Sequence, residues 1–470
     1  MAENFERRAD ARFFLSILAT GLLSFTGVVI ETAMNVTFPT LMREFGVDTA
    51  TVQWITTGYL LVLAVMIPTS SFLKHRFPMK RLFLSACVAF IVGTVLAAVS
   101  PAFSFLLAGR LLQGVGTGVA LPLMFNIVME QAPLDKIGTM MGAAMLVTAL
   151  APAVGPSVGG YIVFGYGWRM IFWALLPVLV FAFFAGALAI RQSSATGPRA
   201  FDFLGWALLA VAFSCLIFAL GEVKDLPGAG LPFAGFALVT VAALALFGRR
   251  EERLILARRI PLLNVRVFGA RSFLLAVAAM LLLQMICLGI GFLLPNFAQL
   301  SLGDNAFLAG CILLPGCLLG AALAPVSGRL YDRLGARLPL LLGAVCIVLS
   351  EVLYVADLAA GATVLSLTVI YVVFTLGQGL TSGNVLTYGL SRLPQALRSD
   401  GNAVFNTGTQ LAGAIGTTVA AAIVAFSQAG AADLGAATQS GTQTAFYVLL
   451  ALAVLEAICV ALALKKNSVR

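Results

Sequence analysis

The sequence predicts an all-α polytopic membrane protein. Of its 470 residues, 60% are hydrophobic and only 10% are charged, and the mean hydropathy is +1.01. A soluble domain carries about 25% charged residues, and no globular core holds this much apolar surface. The apolar residues also fall into runs of about 20, which is the length that a helix needs to cross a bilayer. We therefore expect lipid to be the solvent for most of the chain.

Fourteen apolar segments are predicted to span the membrane, in two groups of six separated by a pair. The first group comprises residues 13–38, 51–73, 82–100, 104–129, 137–164 and 169–190. The pair comprises 203–221 and 230–248, and the second group comprises 272–299, 305–327, 338–357, 363–390, 401–427 and 444–464. The first segment is too long for the apolar part of a signal peptide, so we expect it to remain in the mature protein.

The basic residues predict the orientation of these spans. With an even number of spans both chain ends lie on one side, and all but four of the 29 Lys and Arg residues fall on that side. The exceptions are Arg43, Arg110, Arg169 and Lys224. Because cytoplasmic loops retain basic residues, both termini are predicted to be cytoplasmic, in a bacterial inner membrane or another plasma membrane. The net charge of +9 then needs no nucleic-acid partner.

An internal repeat predicts the domain organisation. The loop SFLKHRFPMKR aligns with GRLYDRLGAR at an offset of 257, Ser71 onto Gly328, and Pro39 aligns with Pro295 at 256. Two anchors with nearly one offset indicate two homologous six-span halves, an arrangement that places a substrate site near the midplane between them. The predicted parts are a cytoplasmic N-terminus 1–12, an N-terminal bundle 13–190, a two-helix insert with cytoplasmic linkers 191–271, a C-terminal bundle 272–464 and a cytoplasmic tail 465–470.

Glu31 is the first candidate functional residue because it lies inside an apolar span. A carboxyl group at such depth costs about 2.5–3.5 kcal/mol and is usually functional. Asn35 lies four residues later, on the same helical face. Burial favours the neutral acid and a nearby Arg110 favours the ionised form, so this group is suited to exchange a proton. The alternative is an acid at the helix end that faces an outer aqueous vestibule.

Arg110 and a proline-glycine segment mark the fourth and fifth spans. Arg110, Gly114 and Gly118 are four residues apart, so a partner helix can approach the arginine closely. The alternative is an arginine that extends to the membrane surface. In the fifth span, the run APAVGPSVGG bends at its prolines and presents a smooth face of small residues, either for rocking between domains or for close packing alone.

The second of the two repeated loops contains a charged group that predicts a conformational latch. Asp332 stands beside Arg333 and close to Arg337, at a helix end where it can contact a neighbouring helix. In the earlier loop His75 takes the place of the aspartate. That loop is therefore either a latch that depends on protonation of His75 or a region with a solvated histidine.

These motifs together resemble those of the fourteen-span drug:proton antiporter family of the major facilitator superfamily. GRLYDRLGAR matches the loop signature G-x-L-x-D-R-x-G-R-[RK], and RLLQGVG resembles R-x-x-[QG]-G-x-[GA]. APAVGPSVGG resembles the antiporter signature G-x-x-x-G-P-x-x-G-G. ETAMNVTFP resembles the first-span signature [LI]-D-x-T-x-V-N-V-A-[LI]-P, with Glu31 in place of the aspartate and a spacing one residue shorter.

The resemblance implies a major facilitator fold with two six-helix bundles and two extra central helices, and proton-coupled export of amphipathic small molecules. It implies proton coupling by Glu31 and Arg110, an antiporter motif at Gly155, Pro156, Gly159 and Gly160, and a latch at Asp332, Arg333, Arg337 and His75. The proton is the expected coupling ion, no cofactor or metal is expected, and a monomer is the default state.

The predicted substrate cavity draws on both halves of the chain. Its candidates are Met34, Asn35, Phe38, Tyr59, Phe292, Gln378, Asn384 and Asn406. Methionine and aromatic side chains form an adaptable apolar wall, although ordinary helix packing is an alternative for each of them. For Glu351 and Glu456, in spans that are peripheral in this architecture, both packing and proton coupling are open.

Other functions are less consistent with the sequence. Export of a lipid or a siderophore-like metabolite would use the same fold and is the main alternative. An ATP-driven pump or a zinc protease is not expected, because the motifs GxxxxGK[ST] and HExxH are absent. The ExxER cluster of peptide importers is also absent from the first span. A single histidine and seven cysteines without a CxxC pair argue against a metal site.

Overall fold

The computed structural model describes residues 10–133, 137–193, 196–197, 201–222, 230–257, 259 and 261–465. This part of the chain is nearly all helical and contains no strand, and 13 of its helical stretches are long and apolar enough to cross a membrane. The predicted fold class is therefore confirmed. The helix Ile137–Tyr166, whose side chains are described only in part, is not among the 13, so the count of fourteen spans stays a prediction. Some basic residues used for orientation, such as Lys136 and Lys224, lie outside the described residues.

The helices follow the predicted order of a first half, an insert and a second half. The first half contains α1 (Ala11–Phe45), α2 (Thr49–Val52), α3 (Trp54–Met66), α4 (Ser70–Arg76), α5 (Met79–Ala98), α6 (Phe103–Gln131), α7 (Ile137–Tyr166) and α8 (Arg169–Ala189). The insert contains α9 (Phe203–Gly221) and α10 (Gly230–Leu256). The second half contains α11 (Arg271–Leu300), α12 (Ala306–Cys311), α13 (Leu314–Leu334), α14 (Arg337–Ala360), α15 (Val364–Ser391), α16 (Arg398–Gln428) and α17 (Leu434–Leu464).

Short polar side chains set where several helices begin. The carboxylate of Asp10 accepts a hydrogen bond of 2.8 Å from the backbone N–H of Phe13 at the start of α1. Asp202 caps α9 and Asp433 caps α17 in the same way. These groups satisfy backbone donors that have no partner inside the helix, which is why a capping residue contributes about 1 kcal/mol.

Two predicted spans are interrupted rather than continuous. The second span comprises α2, α3, a 3-10 turn at Ile67–Thr69 and α4. The tenth span breaks between α12 and α13. Pro68 lies in the first interruption, and Pro315 lies at the start of α13. Proline has no backbone N–H to donate, so it favours a new helix start at both places.

The two halves contact each other through hydrogen bonds at the ends predicted to face outward. Thr49 donates from its hydroxyl to Gln428 at 2.6 Å, joining α2 to α16. Deeper in the same seam, the hydroxyl oxygens of Thr57 and Thr418 lie 3.2 Å apart. Gln299 in α11 donates to the Val36 carbonyl oxygen in α1 at 2.9 Å. The structure is therefore closed at the outer ends of these helices.

The insert contacts both halves. Its helix α9 packs against α3 of the first half and α16 of the second. The indole Nε1 of Trp206 donates to the Val65 carbonyl oxygen at 3.1 Å. On the linker that follows α10, the backbone N–H of Leu263 donates to Glu251 at 3.1 Å, and that of Asn264 donates to Asp400 in α16 at 3.2 Å. The insert is thus attached to the first half through α9 and to the second half through both α9 and the linker.

Candidate functional site

Arg110 is fully buried in α6 and is held by three contacts. Its Nε donates to the Ile55 carbonyl oxygen at 3.2 Å, and its Nη1 donates to Gln113 Oε1 at 2.6 Å. Its guanidinium carbon lies 4.2 Å from the ring centroid of Tyr59. Gln113 is oriented in turn because its Nε2 donates to the Thr94 hydroxyl at 2.8 Å. The buried Nη2 has no hydrogen-bond partner among the described residues, so the fixed guanidinium retains one donor nitrogen for an acceptor.

Glu31 lies in α1 with only 7% of its surface exposed. Its carboxyl group interacts electrostatically with Arg110 and with Tyr59. No hydrogen bond or ion pair within 4.0 Å joins Glu31 to Arg110, although both residues are among those described. The structure therefore brings the two predicted coupling residues into one buried centre without direct contact, an arrangement that a change in protonation can alter.

The four residues of the predicted antiporter motif lie on two faces of α7. A Cβ at Gly155 would overlap the Thr32 hydroxyl, and one at Gly159 would lie 2.6 Å from the Ala33 Cβ, so this face packs directly on α1 beside Glu31.

The adjacent face of α7 contacts the second half, since successive helical residues are rotated by about 100°. A Cβ at Gly160 would overlap the carbonyl oxygen of Ala306 in α12. A Cβ at Gly310 in the same helix would likewise overlap the carbonyl oxygen of Pro156. One helix thus contacts both the helix that carries Glu31 and a helix of the other half.

The motif in α7 also contains a pattern that occurs in hydrolases. Residues 155–159 read G-P-S-V-G, which fits the nucleophile pattern GxSxG. A nucleophile of that class stands on a sharp turn between a strand and a helix. Here the serine, Ser157, lies inside a helix and its hydroxyl donates to the Val154 carbonyl oxygen at 3.3 Å. The pattern therefore does not indicate catalysis.

The predicted cavity residues of the first half lie together but are buried. Met34, Phe38 and Tyr59 are completely buried. The ring of Phe38 lies 5.8 Å from that of Phe292 in α11, so two predicted residues from opposite halves are in contact. Asn35 accepts a hydrogen bond of 3.0 Å from the Thr56 hydroxyl. In this conformation Phe38 and Phe292 pack together across the seam, and the role of these residues as cavity lining stays a prediction.

The predicted cavity residues in α15 and α16 lie in different environments. Gln378 donates from Nε2 to the Cys287 sulfur at 3.1 Å, next to the α1–α11 seam. Asn384 donates to the Ser327 hydroxyl at 2.8 Å and therefore joins α15 to α13 within the second half. Asn406 is exposed and donates to the Asn402 carbonyl oxygen at 2.9 Å. The structure does not bring these three residues into one group with Glu31.

The two repeated loops differ in their contacts. In the second loop the side chains of Asp332, Arg333 and Arg337 are exposed and form no hydrogen bond or ion pair with the other described residues. In the first loop Lys74 forms an ion pair with Glu130 of α6. The His75 carbonyl oxygen accepts a hydrogen bond of 3.0 Å from the backbone N–H of Gly197. In this conformation, therefore, the loop with the weaker motif is the one that forms contacts with neighbouring segments.

Sequence reasoning missed several polar partners. Gln113, Thr94 and the Ile55 carbonyl oxygen orient Arg110, and Glu130 holds Lys74. Gln113 is part of the fourth-span motif, but the motif does not show that it accepts a hydrogen bond from Arg110. The other partners come from different helices, so their proximity depends on helix rotation that the hydropathy pattern does not report.

Two further acids, Glu351 and Glu456, are completely buried in α14 and α17. None of their four carboxyl oxygens has a hydrogen-bond partner among the described residues. An isolated ionised carboxylate in such surroundings is very unfavourable, so the neutral acid is the form expected at both positions. Unlike Glu31, neither of them interacts electrostatically with an arginine in the part of the chain that the structure describes.

Comparison with known sequences assigns the chain to one family. The profile of the Major Facilitator Superfamily matches residues 17–417. The lincomycin resistance protein LmrB of Bacillus subtilis (strain 168) is 35% identical over 416 residues, covering 88% of this chain and 85% of that protein. A multidrug resistance protein B homolog of Mycobacterium tuberculosis (strain ATCC 25618 / H37Rv) is 28% identical over 436 residues, covering 89% of this chain and 79% of that protein.

Comparison with solved structures supports the same fold. A bacterial homolog of the human lysosomal transporter Spinster, in an inward-facing and unoccupied conformation, superposes with a TM-score of 0.71 at 14% identity, covering 97% of this chain and 98% of the other. The POT family transporter PepTSo gives a TM-score of 0.69 at 13% identity, with 97% and 98% covered. At such low identity these likenesses concern the fold alone.

Proposed function

Because the chain belongs to the major facilitator superfamily of multi-pass membrane transporters, we propose that it is a proton-coupled antiporter that exports amphipathic small molecules by alternating access. Proteins similar to it are named for resistance to lincomycin and to multiple drugs, which supports antibiotics or related compounds as its substrates. Export of a lipid or a secreted metabolite is the alternative, and no described group favours it.

The observation that carries the proposal is the centre formed by Glu31 and Arg110. Glu31 is buried in the field of a guanidinium whose Nη2 has no acceptor among the described residues. When Glu31 is ionised, its attraction to Arg110 draws α1 and α6 together. When Glu31 takes up a proton, that attraction is lost. Two protonation states therefore favour two arrangements of these helices, as coupling requires.

The packing of α7 connects this local change in α1 to the second half of the molecule. Gly155 and Gly159 hold α7 against α1 next to Glu31, while Gly160 and Pro156 hold it against α12. A shift of α1 therefore acts directly on a contact between the halves. In the proposed cycle a proton from outside neutralises Glu31 and leaves toward the cytoplasm, and substrate moves in the opposite direction.

The test is Glu31→Gln, studied in everted vesicles or proteoliposomes with a dye or lincomycin as substrate. The amide keeps the size of the side chain but cannot exchange a proton. We expect uphill export driven by a pH gradient to be lost, while gradient-free substrate counterflow is retained. Glu456→Gln is the matched control, because that acid is also buried but interacts with no described arginine. Undiminished uphill export by the Glu31→Gln protein would reject proton coupling at this residue.

A further inference from the structure

An open cavity of about 230 Å³ lies at the predicted outer ends of the helices, and neither Glu31 nor Arg110 lines it. We call it the insert cavity. Its lining includes Gln53 and Trp54 from the first half, Phe218 and Glu222 from the insert and Thr418 from the second half. Three parts of the chain therefore form one cavity, and it exists only because α9 of the insert stands beside the seam between the halves.

The side chains of the insert cavity combine aromatic surface with negative charge. The rings of Trp54 and Phe218 lie 5.0 Å apart at an angle of 35°, and together they form an aromatic wall. The carboxylate of Glu222 forms no hydrogen bond or ion pair with any other residue that the structure describes, although residues 223–229 lie outside that part. An aromatic face attracts a cation, most strongly when the site is partly shielded from water.

The backbone adds to this preference. Glu222 is the C-cap of α9, so the carbonyl end of a 19-residue helix points toward the same region. The C-terminus of a helix carries a partial negative charge and favours cations. Among the described residues, none of those that line the cavity is basic. The aromatic rings, the carboxylate and the helix end therefore select for one kind of ligand.

We propose that the insert cavity binds amphipathic organic cations, such as aromatic quaternary ammonium compounds, at the outer end of the transporter. The cationic head lies near Glu222 and over the rings of Trp54 and Phe218. The apolar part extends toward Ala422. Binding at this site stands by itself, whereas a role for it in export depends on the function proposed above.

The position of the cavity connects its occupancy to conformation. Gln53 accepts a hydrogen bond from Thr57, and the Thr57 hydroxyl contacts Thr418 across the seam. Gln53 and Thr418 also line the cavity, so a bound cation touches the contacts that close the outer ends. Separation of α3 from α16 would remove one wall of the site. The ligand therefore makes different contacts in the two conformations, which is the condition for shifting their populations.

The test measures protection of an introduced cysteine by a cation at equilibrium, without any ion gradient. Ala50 lines the cavity and is partly exposed, so Ala50→Cys provides a reporter for a neutral maleimide. Benzyltrimethylammonium is the probe, and neopentylbenzene is its uncharged analogue of the same shape. We expect the ammonium compound to slow labelling of this reporter thiol at least fivefold and neopentylbenzene to slow it less than twofold. Ala431→Cys, in an exposed outer loop, should not be protected by either compound.

A second substitution tests the role of charge. Added to Ala50→Cys, Glu222→Gln should raise the half-protecting concentration of benzyltrimethylammonium at least fivefold. Asp304→Asn, which removes an acid from another outer loop, should leave that concentration unchanged. Equal protection by neopentylbenzene, or an unchanged half-protecting concentration in Glu222→Gln, would overturn the proposal. Repeating the experiment with Glu31→Gln separates the two hypotheses, because the protection should persist there even when uphill export is lost.

Discussion

The centres of the two halves differ in charge. In the first half, Glu31 and Arg110 form a charged centre in which Gln113 orients the arginine. With the offset of 256 that aligns Pro39 with Pro295, Cys287 is the residue of the second half that corresponds to Glu31 in the first. There Gln378 donates to the Cys287 sulfur, so the corresponding centre of the second half is polar but uncharged.

This difference suggests a division of labour between the halves. A charged group inside the membrane is energetically costly and usually has a function. An amide hydrogen-bonded to a thiol, in contrast, mainly holds two helices together. The first half would then respond to the proton, and the second half would follow through the contacts of α7 and of the outer seam. Variants in each half test this division of labour.

The largest effect is expected from Arg110→Gln. The shorter neutral side chain cannot keep the bonds to the Ile55 carbonyl oxygen and Gln113, and it leaves Glu31 without a cation. We expect uphill export to fall at least tenfold and stability to fall by about 2–4 kcal/mol, because a buried polar network loses its central donor. Export assays and thermal unfolding in detergent measure the two effects. Arg43→Gln, at an exposed arginine near the end of α1, is the control. Its effects on uphill export and on stability should each be less than about a third of those of Arg110→Gln.

Replacement of the isolated acids should have the opposite effect on stability. Glu351→Leu and Glu456→Leu remove buried carboxyl groups that have no partner among the described residues. Each should raise stability by about 1–3 kcal/mol, since an unsatisfied buried polar group costs that much. Export should stay within twofold of the unmodified protein. Loss of export with retained folding would show that the second half also carries a coupling acid, and would break the comparison.

The two loops provide a smaller contrast. Glu130→Gln removes the ion pair with Lys74, and because both side chains are about one-fifth exposed the loss should be about 0.5–1 kcal/mol. Asp332→Asn removes no contact seen in this conformation, so it should leave the unfolding temperature unchanged. If Asp332 forms a latch only in the other conformation, the same variant should slow export severalfold. Thermal unfolding and initial export rates distinguish these outcomes, and unchanged export in Asp332→Asn would remove the latch from the mechanism.

The smallest effect concerns the insert and depends on pH. Burial alone would raise the pKa of Asp202, but hydrogen bonds from Arg250 and from the Gly205 N–H outweigh it and hold the pKa below its ordinary value of 3.8. A lowered pKa stabilises the fold above the ordinary value, and this stabilisation disappears as the pH falls through the lowered pKa. Asp202→Asn should therefore be about 0.5 kcal/mol less stable at pH 7. That difference should shrink as the pH falls through the lowered pKa, and a difference that grew on acidification would contradict the assignment.

The sequence predicted the architecture well because lipid imposes a simple rule. A helix must present about 20 apolar residues to cross the bilayer, so the spans are visible as runs. Glu31 and Arg110 were found by the same rule, since charges are conspicuous in such runs. The interruptions at Pro68 and Pro315 were harder to predict, because a proline inside an apolar run allows either a bend or a break in the helix.

The contacts within the centre could not be predicted in the same way. Which atoms surround Arg110 depends on the rotation and depth of α3, α5 and α6, and hydropathy constrains neither. The loops illustrate the point further, because the better motif around Asp332 predicted contacts, yet Lys74 in the weaker copy forms the ion pair. A well-matched motif shows which side chains are present at a position. Whether those side chains form contacts depends on the conformation.

The double attachment of the insert sets a geometric limit on the transport cycle. Trp206 fastens α9 to the first half, while the linker after α10 is fastened to the second half at Asp400. As long as these contacts hold, the insert links the two bundles near their predicted cytoplasmic ends. If the bundles separate as the proposed alternating access requires, the extra pair of helices would limit that separation and with it the size of substrate that can enter between them.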